Sequence, residues 1–212
     1  MLPLTGDSCG LFLEASRINH ACRPNAQQSW NDDSGFLTVH VLRDICVGSE
    51  ITISYTSGVA MAYIERQRHL REGFYFVCAC ELCSLPKEAH IRGDDQLRRI
   101  ITFDKNLHGD NLDAQQVGDC AVEMLRQARQ LIGLLADEGI YDISFSRAYF
   151  TSFQIFAIVG DKTRAKVSAE RAYAARKMLS GEDHPMAITL RRMAERPVEH
   201  LLYEANVKVL QR

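Results

Sequence analysis

Hydrophobic and polar positions change their rhythm near residue 85. Before it, apolar runs are short. "FLTVHVL" (Phe36 to Leu42) alternates enough to predict a strand. "EITISY" (Glu50 to Tyr55) follows Gly48, is rich in β-branched residues and predicts a second. "NDDSG" (Asn31 to Gly35) supplies turn chemistry between Trp30 and the first of these strands. "VAMAYIERQRHLREG" (Val59 to Gly73) reads as a helix, with Ala60, Ile64 and Leu70 toward one face and Gly73 as its stop. "SLPKEAHIRGDD" (Ser84 to Asp95) reads as a linker. Beyond it the spacing is helical. Leu97, Ile100 and Ile101 open one helix, and Val117, Ala121, Met124, Ala128, Leu131 and Leu135 mark another at three-to-four spacing. Phe145, Tyr149, Phe153 and Phe156 stripe a third, a pattern that belongs to a core more often than to a cofactor box.

The segment from Gly160 to Pro197, with its "GEDHP", resembles a tetratricopeptide unit. Its helices are expected from about Thr163 to Leu179 and from Pro185 onward, with Gly160 and Gly181 in the turns. Pro185 suits a first helical position because its missing N–H would be unpaired there anyway. A generic helical bundle is the alternative. Either way this half offers a scaffold or a partner surface more than a reaction site.

Composition narrows the function classes. The chain has 212 residues, 46% of them hydrophobic, which suffices for a buried core. With 25 Lys+Arg against 27 Asp+Glu there is no basic footprint for nucleic acid and no polybasic membrane patch. No apolar run is long enough for a membrane span, and residues 1–15 lack the pattern of a signal peptide. The seven cysteines therefore read as thiols or metal ligands in an intracellular protein of the nucleus, the cytoplasm or both.

Cys78, Cys80 and Cys83 give C-x-C-x2-C, one ligand short of a tetrahedral zinc site. The fourth must come from elsewhere. Cys22 is the best candidate, since "HACRPN" is loop-like and lets its side chain point freely. His69 is the runner-up. Cys9, Cys46 and Cys120 stand in contexts that fit buried thiols.

"SRINHACRPN", "LRDICVGSEITISY" and "ERQRHLREGFYFVCACELC" follow one another in an order that resembles the C-terminal half of a SET domain with its post-SET segment, over about residues 10–83. The flavour is that of the SET–MYND group of protein-lysine methyltransferases. The resemblance implies S-adenosylmethionine as methyl donor and a lysine of a protein, histone or otherwise, as substrate. It implies that Asn19 and His20 contact the cofactor, that Tyr55 stands at the methyl-transfer site, and that Phe76 packs near the cofactor. It implies that Cys22 joins Cys78, Cys80 and Cys83 on one zinc, and that the helical half is tetratricopeptide-like and open to a protein partner.

The expected fold is α+β. A SET remnant with its post-SET zinc loop spans 1–84, a linker 85–95, and a helical domain 96–212. The sequence has no Gly-x-Gly, the family's motif for the methionine part of the cofactor. The expectation is thus of a SET protein without its N-terminal half, binding the cofactor weakly by itself. The alternative is a catalytically inactive, zinc-stabilised helical-repeat interaction module.

Overall fold

The computed structural model describes residues 2–3, 9–56, 61–107, 114–201 and 203–205. Two compact units emerge, Met1–Arg98 with Met178–His184 and Arg99–Lys177 with Pro185–Arg212.

Among the described residues the strands form three two-stranded sheets. β1 (Leu2–Pro3) pairs antiparallel with β2 (Cys9–Gly10). β3 (Asn19–His20) lies parallel to β6 (Thr52–Ile53), setting Asn19 opposite Thr52 and His20 opposite Ile53. β4 (Ala26–Asn31) and β5 (Phe36–Val41) make an antiparallel hairpin in register from Ala26↔Val41 to Asn31↔Phe36. The hairpin turn is built by Asn31. Its Oδ1 accepts from the Asp33 and Ser34 amides at 3.0 and 3.4 Å, and Gly35 takes the left-handed φ of 67° that the return requires. The Asn31 amide also donates to the Asp183 carboxylate at 3.2 Å, tying the hairpin tip to the α5–α6 turn described below. The strand expected over Glu50 to Tyr55 is paired only at Thr52–Ile53. The same stretch is held instead by Asn25, whose Oδ1 accepts from the Thr52 amide at 2.8 Å and whose Nδ2 donates to the Glu50 carbonyl at 2.8 Å.

α1 (Tyr63–Phe74) buries Arg66, Gln67 and Leu70, while Ile64 is 77% exposed, so the inward face is not the one its apolar residues suggest. Gly73 lies inside the last turn, and Tyr75, at φ 61°, ends the helix in the left-handed conformation. α2 (Lys87–Leu107) begins within the stretch read as a linker. The Pro86 carbonyl accepts from the Ala89 and His90 amides and starts it. Asp94, within that stretch, accepts from the Tyr63 amide at 2.8 Å, and the Tyr63 ring stacks on His90 at 3.9 Å.

α3 (Ala114–Asp137), α4 (Ile143–Ile158), α5 (Lys162–Ser180) and α6 (Pro185–Glu195) follow. The last two lie within a residue or so of the expected bounds, and Gly160 and Gly181 both have the positive φ of inter-helix turns. Asp142 caps α4, its carboxylate accepting from the Ser144 amide at 2.8 Å. Phe153 is fully buried among Ala157, Ala165, Ala169 and Ala194; alanines let the helices approach closely around one large ring. Of the aromatic stripe, only Phe153 is so enclosed.

Candidate active site and metal centre

Three segments distant in sequence converge in the first unit. Leu70 of α1, fully buried, lies under Cys78 and Cys83, and Cys22, Cys80, Tyr55, Tyr63 and Phe76 pack against that core. The sulfurs of Cys22, Cys78, Cys80 and Cys83 lie within 4.8 Å of one another. Cys22 Sγ is 3.5 Å from Cys83 Sγ and 3.9 Å from Cys78 Sγ. This is a closed, all-thiol set of four, the donor chemistry of a structural zinc site. His69 is exposed, with its ring against Phe74, outside the cluster. Cys46 and Cys120 are exposed rather than buried, and the side chain of Cys9 lies outside the described residues.

The thiols share charge unevenly. Hydrogen bonds from Cys22 and Cys83 pull the Cys80 pKa far down, and hydrogen bonding to Cys80 and Cys83 pushes that of Cys22 far up. A cluster this tight favours one thiolate at its neighbours' expense, whereas a dication would stabilise all four. The sulfur set therefore fits such an ion on its donor chemistry.

Gln67, which sequence reasoning missed, holds the cysteine loop. Its Nε2 donates to the Cys78 carbonyl at 2.8 Å and its Oε1 accepts from the Cys78 amide at 3.1 Å, so one buried amide satisfies both backbone groups of a candidate ligand. The available signal was its place on the helix, three residues before Leu70 and four after Tyr63. Arg66 beside it donates to the Met61 carbonyl.

His20, Tyr55 and Phe76 form an aromatic group against the cluster. Ring centroids of His20 lie 5.3 Å from Tyr55 and 6.0 Å from Phe76, and Tyr55 meets Phe76 edge-on at 6.3 Å. The Tyr55 hydroxyl donates to the Ile18 carbonyl at 2.7 Å. Its pKa is raised, first by burial and then by Glu50. Burial likewise lowers the pKa of His20, with Cys80 opposing and Arg66 reinforcing the shift. Asn19 is exposed, its amide donating to the Glu50 carboxylate at 2.6 Å. All four residues singled out for the cofactor and transfer site thus lie in one unit, three of them as a packed ring group and Asn19 next to His20.

A SET segment, continued by a helical region in an α+β chain, is the class these features define: residues 5–56 match the SET domain family. The chain is similar to the histone-lysine N-methyltransferase set5 of Schizosaccharomyces pombe, 32% identical over 200 residues, covering 92% of this chain and 59% of that protein. It is also similar to human protein-lysine N-trimethyltransferase SMYD5, 40% identical over 82 residues, 38% of this chain and 20% of SMYD5. Human histone-lysine N-methyltransferase SMYD3 is 37% identical over 94 residues, 43% of this chain and 21% of SMYD3. The resemblance to SET-domain protein-lysine methyltransferases read from the three motifs is borne out. The chain spans less than two thirds of the length of these relatives. Among the described residues, no helix is long and apolar enough to cross a membrane.

Proposed function

We propose that this chain carries the transfer-site half of a SET-type protein-lysine methyltransferase that uses S-adenosylmethionine. In this reading Cys22, Cys78, Cys80 and Cys83 hold a structural zinc, as a post-SET loop would, over 1–84. The observation that carries it is the convergence of His20, Tyr55 and Phe76 on a four-cysteine set drawn from both ends of the first unit.

S-adenosylmethionine, when bound, supplies an electrophilic methyl group on a sulfonium. The residues present fit one edge of it. Phe76 and His20 offer an aromatic wall beside the half-buried Tyr55, and Asn19 offers an exposed amide at the rim. Tyr55 has the hydroxyl lone pairs to orient a neutral lysine amine, and its own hydroxyl is positioned by the Ile18 carbonyl. An apolar surround favours the deprotonated, nucleophilic lysine. The chain's part is positioning and electrostatics, with no covalent intermediate on the protein. The substrate is a protein lysine, histone or otherwise, which suits a nuclear or cytoplasmic location.

The test is transfer of labelled methyl from S-adenosylmethionine to histone and lysine-peptide substrates, with Tyr55→Phe alongside. Loss of about a hundredfold in turnover with unchanged zinc content is expected. Unchanged turnover in Tyr55→Phe would remove the tyrosine from the reaction.

A second reading is an interaction module on tetratricopeptide-like helices. A groove of about 420 Å³ between α3, α4 and α5 favours it. Leu125, Ile132 and Phe156 line it together with Arg126, Arg129 and Arg171, and no carboxylate stands among the described lining residues. Partner capture by a protein that lacks methyl transfer would favour this reading.

A further inference from the structure

We propose that His20 is a positioning residue that couples the cysteine cluster to Tyr55; the inference rests on the reading of that cluster as a zinc site. The Tyr55 amide donates to His20 Nδ1 at 3.0 Å. A backbone N–H can only donate, so Nδ1 carries no proton and the ring's proton sits on Nε2. That nitrogen lies 3.3 Å from Cys22 Sγ, so the imidazole donates to a sulfur of the cluster with one edge and accepts from the transfer tyrosine with the other.

The rest of Tyr55 is tied to the same segment. Its hydroxyl is held by the Ile18 carbonyl, and the pairing of His20 with Ile53 sets the two strands in register just before it. Both ends of Tyr55 are therefore fixed by Ile18 and His20, and His20 is in turn fixed by Cys22. A metal-bound Cys22 thiolate would accept the Nε2–H strongly and hold the ring in one orientation. Loss of the ion frees Cys22, and the ring loses the partner that holds its Nε2–H. The consequence reaches Tyr55 through one side chain, without a change in the remainder of the unit. The resemblance placed His20 at the cofactor; the geometry gives the imidazole a separate task.

The experiment compares amide hydrogen exchange at Tyr55 and at Leu42 in the whole chain, zinc-loaded and after chelation. Leu42 is the internal control, because its amide is held by the Asn25 carbonyl at 2.9 Å in the same unit and does not involve His20. Chelation is expected to speed exchange at Tyr55 tenfold or more and to leave Leu42 protected. His20→Phe keeps a ring between Tyr55 and Phe76 but removes both hydrogen bonds. In that variant Tyr55 should exchange fast already, chelation should add little, and zinc should pass to a chromogenic chelator about 10–100-fold faster. Unchanged Tyr55 protection on chelation, or equal loss at Leu42, overturns the coupling. Nitrogen-15 spectra of wild-type histidines need no variant: a His20 proton found on Nδ1 also overturns it. Wild-type protein that holds no metal would fail the zinc reading itself, a result distinct from each of these.

Discussion

Replacing Gln67 by leucine tests whether one side chain of α1 holds the cysteine loop. The variant keeps a side chain of similar size, so no large cavity opens, but it removes both hydrogen bonds to Cys78. The Cys78 amide and carbonyl are left unpaired at a residue only 5% exposed. Each unsatisfied buried backbone group costs about 1–3 kcal/mol, so the pair amounts to about 2–6 kcal/mol. Added apolar burial beside Leu70 offsets about 1 kcal/mol of this. A net loss of about 1–5 kcal/mol remains, a shift of about 0.5–2.5 M in the urea midpoint for a denaturant slope of about 2 kcal/mol/M. Trp30 is the only tryptophan and lies in β4 of the same unit, so its fluorescence follows the relevant transition. Metal should also leave the variant faster, since Cys78 is a candidate ligand. A midpoint within about 0.3 M of wild type, with unchanged metal release, would refute the role given to Gln67.

Purified protein should contain about one zinc per chain, and Cys22→Ser should lower its affinity; full retention of zinc would overturn the fourth-ligand assignment. Phe153→Ala should destabilise the helical unit by about 3–5 kcal/mol in thermal or urea unfolding, because the ring is fully buried among alanines and partly buried Phe150, Phe156, Met193 and Tyr203. Burial raises the Asp142 carboxyl pKa, with its hydrogen bond to Ser144 opposing. A raised acid contributes stability that is present below its unfolded pKa and is lost as pH rises through the folded pKa. Asp142→Asn keeps a capping oxygen and removes that loss. The variant should match wild type near about pH 3 and gain on it toward about pH 7, and a constant offset across that range would refute the argument.

The elements with local causes were legible in the sequence. The Asn31–Gly35 turn and its hairpin, the α5–α6 pair around Gly160, Gly181 and Pro185, and the three crowded cysteines each follow from neighbours a few residues apart. The α1 face and the start of α2 were not legible, because polar groups there are satisfied over long range. Gln67 is buried for the Cys78 backbone, and Asp94, inside α2, serves the Tyr63 amide. A loop-like setting and the order of the motifs nominated Cys22 among several thiols. Only the folded chain brings its sulfur to Cys83, 61 residues away, because the β3–β6 pairing and Leu70 of α1 fix where the two segments meet. The tie from Tyr55 through His20 to Cys22 is likewise absent from any sequence pattern. Side-chain hydrogen bonds depend on where two distant backbones are placed, and local periodicity carries no term for that distance.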